Sequence, residues 1–160
     1  MTDFTIRDAT PDDVNAIHEM ILELADYEKL LDIVDATADD LHDALFGDRP
    51  VIEAFYAERE GKPAGYAIFF HNYSTFVGRP GIYLEDLYVR PENRGMGIGT
   101  KFLARLAQLA QQRNCGRVEW CVLDWNTPSI EFYKNLGAKM MDEWNICRLN
   151  KDAIANVASM

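Results

Sequence analysis

A mixed α/β sheet layered with helices is the fold class that this sequence predicts. Three observations carry the prediction. Short runs with apolar–polar alternation or β-prone composition recur at Phe4–Ala9, Val51–Glu58, Ala64–Tyr73, Tyr83–Val89 and Arg117–Leu123. Segments between several of them carry apolar residues at helical spacing. One glycine-rich stretch, Arg94 to Gly99, stands between a β-prone run and a helix, late in the chain. The order β-α-α-β-β-β-α-β-α-β follows, with strands clustered before the glycines and alternating with helices after them. A regular parallel sheet of repeated βα units would look different.

Each element has a local reason. Phe4, Ile6 and Asp8 alternate with Thr5, Arg7 and Ala9 in a short first strand. Thr10, Pro11, Asp12 and Asp13 form a helix start: a cap, a proline at the first position and acids in the first turn. Val14, Ile17, Ile21 and Leu24 make the stripe of a helix ending near Tyr27 or Glu28. Thr37 and Asp40 are spaced as a capping box before Leu41, Leu45 and Phe46. Glu60 to Pro63 joins two strands as a hairpin, and residues 74–81 read as a polar loop. Ile98, Phe102, Leu106 and Leu109 predict a buried helix, with Gly116 as its stop. Thr127 caps a fourth helix with Pro128 at its first position. Trp144 to Leu149 reads as a last strand.

At 160 residues, with 48% hydrophobic, the chain fits a single domain over residues 1–160. No apolar run is long enough to span a bilayer. The first residues lack a basic region followed by an apolar core, so no signal peptide is expected and a cytoplasmic location is. Three cysteines without CxxC spacing, Cys115, Cys121 and Cys147, argue for reduced thiols, and no metal site is expected.

The net charge of -10 is unevenly placed. Residues 1–48 hold fourteen acids against Arg7 and Lys29, whereas the remainder holds twelve acids against fourteen bases. A nucleic-acid partner would call for the opposite sign. An acidic arm beside a mildly basic remainder fits a cationic substrate and an anionic ligand.

The glycine stretch is a phosphate cradle: glycines let an anion approach the unpaired N–H groups that open a helix. A P-loop fails because Thr100 precedes Lys101, and a dinucleotide fingerprint fails because Gly95, Gly97 and Gly99 are spaced GxGxG. Arg94, Gly97 and Gly99 do satisfy R-x-x-G-x-G. Before it stands Leu87-Tyr88-Val89-Arg90-Pro91, and downstream Trp125 to Gly137 carries an N-x-x-x-x-x-F-Y segment. Together these resemble the GNAT N-acetyltransferases over essentially the whole chain. Phrases around Glu23–Glu28, Tyr83–Val89, Arg94–Gly99 and Trp125–Lys134 are most similar to the spermidine/spermine (diamine) and thialysine N-acetyltransferases.

The resemblance implies a GNAT fold, with a mostly antiparallel central sheet, a splayed strand pair and flanking helices. It implies acetyl-CoA as co-substrate without a metal, a small cationic amine as acceptor, and a homodimer with neither nucleic-acid nor membrane partners. Backbone groups of Leu87, Tyr88 and Val89 would meet the acetyl and pantetheine groups. Arg94, Gly95, Met96, Gly97, Ile98, Gly99 and Thr100 would hold the pyrophosphate, and Asn126 and Ser129 would touch the remainder of the cofactor. Tyr27 and Glu28 match a substrate-binding pair; Glu119, Trp120, Asp142 and Glu143 are further acceptor-side candidates.

Amine acetylation needs a neutral amine, a polarised thioester and a proton for the leaving thiolate. An amine with a pKa of about 10.4 is deprotonated on the order of one part in a thousand at neutral pH, so a base helps. Glu85 is the expected base, on one strand face with Tyr83 and Leu87, and Asp86 is expected to face the other way in a structural role. Tyr133 is the expected acid. A polyamine or diamine acceptor is the main reading; thialysine or a lysine-like amino acid is the alternative, and a non-catalytic acetyl-CoA-binding module is the reading from another class. A protein N-terminal acetyltransferase would require an open groove.

Overall fold

The alternation at the start of the chain becomes an edge strand of a five-stranded sheet. The computed structural model describes residues 3–160; Met1 and Thr2, where the stretch read for a signal peptide begins, lie outside the described residues. The elements are β1 (Phe4–Asp8), α1 (Val14–Tyr27), α2 (Ala38–Phe46), β2 (Glu53–Arg59), β3 (Lys62–Ser74), β4 (Arg79–Val89), α3 (Ile98–Gln112), β5 (Val118–Trp120), α4 (Thr127–Asn135) and α5 (Lys151–Ala158). Strand order is β1-β2-β3-β4-β5. The first three pairings are antiparallel and β4–β5 is parallel. Residue contacts fall into two compact units, one ending at Cys121 and one from Val122 to Met160.

In the first unit, the two sheet faces are covered by different helices. Phe55, Ala57, Ala67, Phe69, Ile82 and Leu84 pack against Ile98, Phe102 and Leu106 of α3. Ala54, Tyr56, Tyr66, Ile68 and Tyr88 pack against Val14, Ile17 and Met20 of α1 and Leu41 and Leu45 of α2. The alternation along each strand thus divides one sheet between two cores. Both predicted helix starts form. A 3-10 turn (Pro11–Asp13) leads into α1, with Thr10 N–H donating to Asp13 Oδ2 at 2.7 Å. Thr37 N–H donates to Asp40 Oδ2 at 2.8 Å.

Four expectations are corrected. The 74–81 loop contracts to a turn, because β3 reaches Ser74 and β4 starts at Arg79; Gly78 N–H donates to the Ser74 carbonyl at 2.8 Å. After α3 the left-handed position is taken by Asn114 (φ 55°), not Gly116, since asparagine tolerates that region. Asn126, not Thr127, caps α4 and accepts from Ser129 N–H at 3.4 Å. Residues 144–149 form no strand, and α5, capped by Asn150, follows instead. Alternating Trp144, Ile146 and Arg148 carried the strand prediction, but a strand also needs a neighbour to satisfy its backbone.

Candidate active site

The donor side is made of backbone. Gly95 (φ 77°) and Gly97 (φ 90°) both sit in the left-handed region, with open space where a Cβ would be. A side chain at either would be strained by conformation rather than crowding. Gly97 immediately precedes α3, and Lys101 N–H donates to the Gly97 carbonyl at 2.9 Å as the first helical bond. The N–H groups of Ile98, Gly99 and Thr100 therefore open the helix without intrahelical acceptors, and the first turn holds no acid. These groups fit a pyrophosphate. The Ile98 side chain is anchored in the core at 1% exposure, so only its backbone is available; Met96 is exposed.

Upstream, the parallel ladder runs only from Ile82/Val118 to Leu84/Trp120. β4 continues to Val89 without β5 beside it. This is the expected parting of the strand pair, and it leaves the Leu87, Tyr88 and Val89 backbone without a β5 partner.

The acceptor side is made of charge. On β3, Ile68 pairs with Asp86 and Phe69 pairs with Leu84, so Glu85 is an extra, bulged residue. The bulge switches the parity of β4. Ile82 and Leu84 face α3 before it, and Leu87 and Val89 face α3 after it. The expectation that Glu85 shares a face with Leu87 is corrected for this reason: the strand is not regular. Glu85 is exposed, whereas Asp86 turns inward on the α1 side, where Tyr66 Oη donates to its Oδ2 at 3.1 Å. Burial pushes the Asp86 carboxyl up to about 6, helped by the negative charges of Glu85 and Glu28 and opposed by the Tyr66 hydrogen bond. Burial also raises Glu28, at the end of α1. The fold thus brings Glu28 and Glu85 within electrostatic reach of Asp86.

A second network ties the end of α1 to the end of β4. Glu23 accepts from Tyr88 Oη at 2.9 Å and from Arg90 Nη2 at 2.8 Å, with Arg90 Nε at 3.2 Å. Burial and this bond to Glu23 raise the Tyr88 phenol to about 12. Arg94 Nε donates to the Val89 carbonyl at 2.8 Å. Its guanidinium lies over the Tyr27 ring at 5.4 Å and the Tyr88 ring at 5.7 Å.

The remaining candidates are distributed differently. Glu119 pairs in register with Tyr83, accepts from Asn72 Nδ2 at 3.4 Å and lies 3.8 Å from Arg117. Trp120 packs half-buried against the α3-side core, away from the face carrying Asp86. Tyr133, Asn126 and Ser129 belong to the second unit. Tyr133 lies on α4 with its ring centroid 5.4 Å from that of Phe132. Asn126 is buried, and its side-chain oxygen caps the helix. Asp142 and Glu143 are exposed. His18 bonds the Ala36 carbonyl and His71 lies by Arg113; no group of metal-ligating side chains occurs among the described residues. A cleft of ≈ 590 Å³ between α2, β2 and the second half of α3 is lined by Arg105 and Arg113. Both are already paired, with Asp8 and Glu53, so it offers an amine no free carboxylate.

The sequence placed Glu85 on the face of Leu87 and did not single out Tyr66 or the Arg90–Glu23 pair. Nothing local marks a bulge, and Tyr66 meets Asp86 only through strand pairing.

A backbone anion cradle, a parted strand pair and a carboxylate-bearing bulge are the parts that acyl transfer to an amine would use. Residues 16–138 match the Acetyltransferase (GNAT) family. The chain belongs to that family and is an N-acetyltransferase acting on amines; GNAT proteins use acetyl-CoA. It is 38% identical to the thialysine N-epsilon-acetyltransferase of Sus scrofa, over 99% of each chain. It is 32% identical to the L-ornithine N5-acetyltransferase NATA1 of Arabidopsis thaliana, over 93% of this chain and 85% of that one. Among solved structures, an integron cassette protein from the mobile metagenome of V. cholerae superposes with a TM-score of 0.82 at 24% identity, covering both chains fully. No helix among the described residues is long and apolar enough to cross a membrane.

Proposed function

We propose that the protein acetylates a primary amine of a small cationic acceptor, a polyamine or diamine, by direct attack of the amine. The carrying observation is the set of carboxylates around Asp86, with Glu85 at the bulge and Glu28 at the end of α1, and Asp86 itself lifted to about 6. A string of ammonium groups is attracted by carboxylates spaced along a groove, with aromatic faces such as Tyr27 between them. Acetyl-CoA supplies the thioester that the amine attacks. Gly95 to Thr100 hold its pyrophosphate, and Leu87, Tyr88 and Val89 present backbone groups to its pantetheine arm.

The bulge pair receives the amine's proton, with Asp86 the stronger acceptor and Glu85 exposed toward solvent. A carboxylate lifted toward neutrality is ionised at working pH yet holds a proton better than an ordinary one. Tyr133 donates a proton to the departing thiolate. The whole chain acts as one catalytic domain, in the cytoplasm and as a homodimer.

A second reading takes thialysine or a lysine-like amino acid as acceptor. It is favoured by the names of the relatives at 38% and 32% identity. Steady-state kinetics with acetyl-CoA against spermidine, putrescine, thialysine, lysine and ornithine separate the two. The polyamine reading expects the highest kcat/KM on spermidine or putrescine, and faster turnover of thialysine sinks it. Absence of turnover on the whole panel would point to an acetyl-CoA-binding module.

A further inference from the structure

Resting on the polyamine reading, we infer that Glu119 is a length gauge for the acceptor: it takes the far ammonium of a long polyamine while the near amine reacts beside Asp86. Three placements carry this. In the parallel pair β4–β5, Tyr83 and Glu119 are partners, flanked by Ile82/Val118 and Leu84/Trp120. The flanking residues pack on the α3 side, so Tyr83 and Glu119 point the other way, to the face that carries Asp86. On β3, Phe70 lies on this face too, with its ring centroid 5.2 Å from that of Tyr83.

The core under α1 and α2 takes Tyr66 and Ile68 from β3 and stops short of Phe70. Beyond it, Tyr83 is half-buried and the Glu119 side chain is 41% exposed. Tyr83 Oη lies 3.0 Å from Cys121 Sγ. Burial and that contact raise the Tyr83 phenol, and the charges of Glu85 and Glu119 push the same way. Two carboxylates thus act on one ring, which with Phe70 offers an apolar track for methylenes.

Glu119 is held loosely. Asn72 Nδ2 reaches one of its oxygens at 3.4 Å and Arg117 the other at 3.8 Å, against 2.8 Å for Arg90 on Glu23. Arg117 also donates to Ser74 Oγ. A carboxylate has about four acceptor positions, so an ammonium can dock at about 2.8 Å without displacing either neighbour.

The length follows from the ladder. Ile68 and Phe70, the partners of Asp86 and Tyr83, are two residues apart. That is a rise of about 7 Å, and β5 stands about 4.8 Å to the side of β4. The backbone positions of Asp86 and Glu119 are therefore about 8.5 Å apart. The reacting amine sits on the Leu87 side of Asp86, where the thioester is proposed to lie, which lengthens the span. Extended spermidine measures about 11 Å between its end nitrogens, and putrescine about 6 Å. Spermidine bridges the span and putrescine falls short.

Steady-state kinetics at saturating acetyl-CoA test this, with wild type, Glu119→Gln and Glu119→Lys on putrescine, 1,8-diaminooctane and spermidine. Thermal melting first confirms that each variant is folded. Diaminooctane has the span of spermidine without its middle nitrogen. The expected loss grows with acceptor length. Glu119→Gln lowers kcat/KM about fivefold for spermidine and diaminooctane, chiefly through KM, and less than about twofold for putrescine. Glu119→Lys widens the gap. A residue that merely supports the sheet would lower all three alike. An equal loss on all three acceptors, or none, overturns the gauge while the polyamine reading stands. If wild type turns over thialysine but none of the three, the polyamine reading falls and the gauge with it.

Discussion

The two halves of the proposed site are made of different material. The donor half is main chain: two left-handed glycines, a helix start, and a strand end without β5 beside it. The acceptor half is side chain: Glu28, Glu85, Asp86 and Tyr27, held by Tyr66, Glu23 and Arg90. A phosphate cradle made of N–H groups tolerates most residue changes that keep the backbone path. A cation site made of carboxylates depends on which residue stands where, and on how deeply each is buried. The donor half is thus the general part of this enzyme and the acceptor half the particular one.

The largest expected effect tests the acceptor half. Asp86→Asn should lower kcat/KM for the amine by about 100-fold at pH 8, within the range for loss of a general base. In wild type, Asp86 is protonated below about 6 and ionised above it, so kcat/KM should rise as pH passes through that value. A pH profile of Asp86→Asn should lose this inflection, while Glu85→Gln should keep it. The reverse outcome would transfer the role of base to Glu85. Stability has the opposite sign. The folded value lies above the unfolded one, so ionising Asp86 costs stability as pH rises through the same window. Asp86→Asn should melt higher than wild type at pH 8.

Next in size, Gly97→Val should raise the KM for acetyl-CoA by about tenfold, because a branched side chain at φ 90° forces the loop to shift. The amine KM measured at saturating acetyl-CoA should change little. An equal rise in both would break the division into two halves.

Smaller again, Glu23→Gln should raise the amine KM by about threefold and lower stability by about 1 kcal/mol, as expected for a partly exposed ion pair that also accepts a phenol. Glu23 stands one turn before Tyr27, so its loss loosens the residue that faces the amine. Acetyl-CoA affinity measured by calorimetry should stay within about twofold. The smallest effect belongs to Met96→Ala. Its side chain is exposed between the two left-handed glycines, and both KM values should stay within about twofold.

How far the sequence could be read follows the same division. Glycine spacing, proline positions and helix caps act over a few residues, so the cradle, the starts of α1 and α2 and the order of elements as far as α4 were legible directly. Three failures share one cause. Glu85 was placed on one face with Leu87 on the assumption of a regular strand, but the bulge is defined only against Ile68 and Phe69 on β3. The residues 144–149 carry a strand's alternation without a strand's pairing, and Asn114 rather than Gly116 ends the run after α3. Each depends on a partner far away in sequence or on the path of the backbone.

By itself the sequence determined the local chemistry: an anion cradle at Arg94–Thr100, an acidic first third that favours a cation, and a carboxylate pair beside the cradle. Those properties are set by residue type and short spacing, and they survive any arrangement of the rest. Only the tertiary structure decided which carboxylate is buried, because α1 covers that face of the sheet and Tyr66 of the neighbouring strand β3 reaches Asp86. It also placed Arg94 over Tyr27, a contact between residues that neither spacing nor composition could bring together.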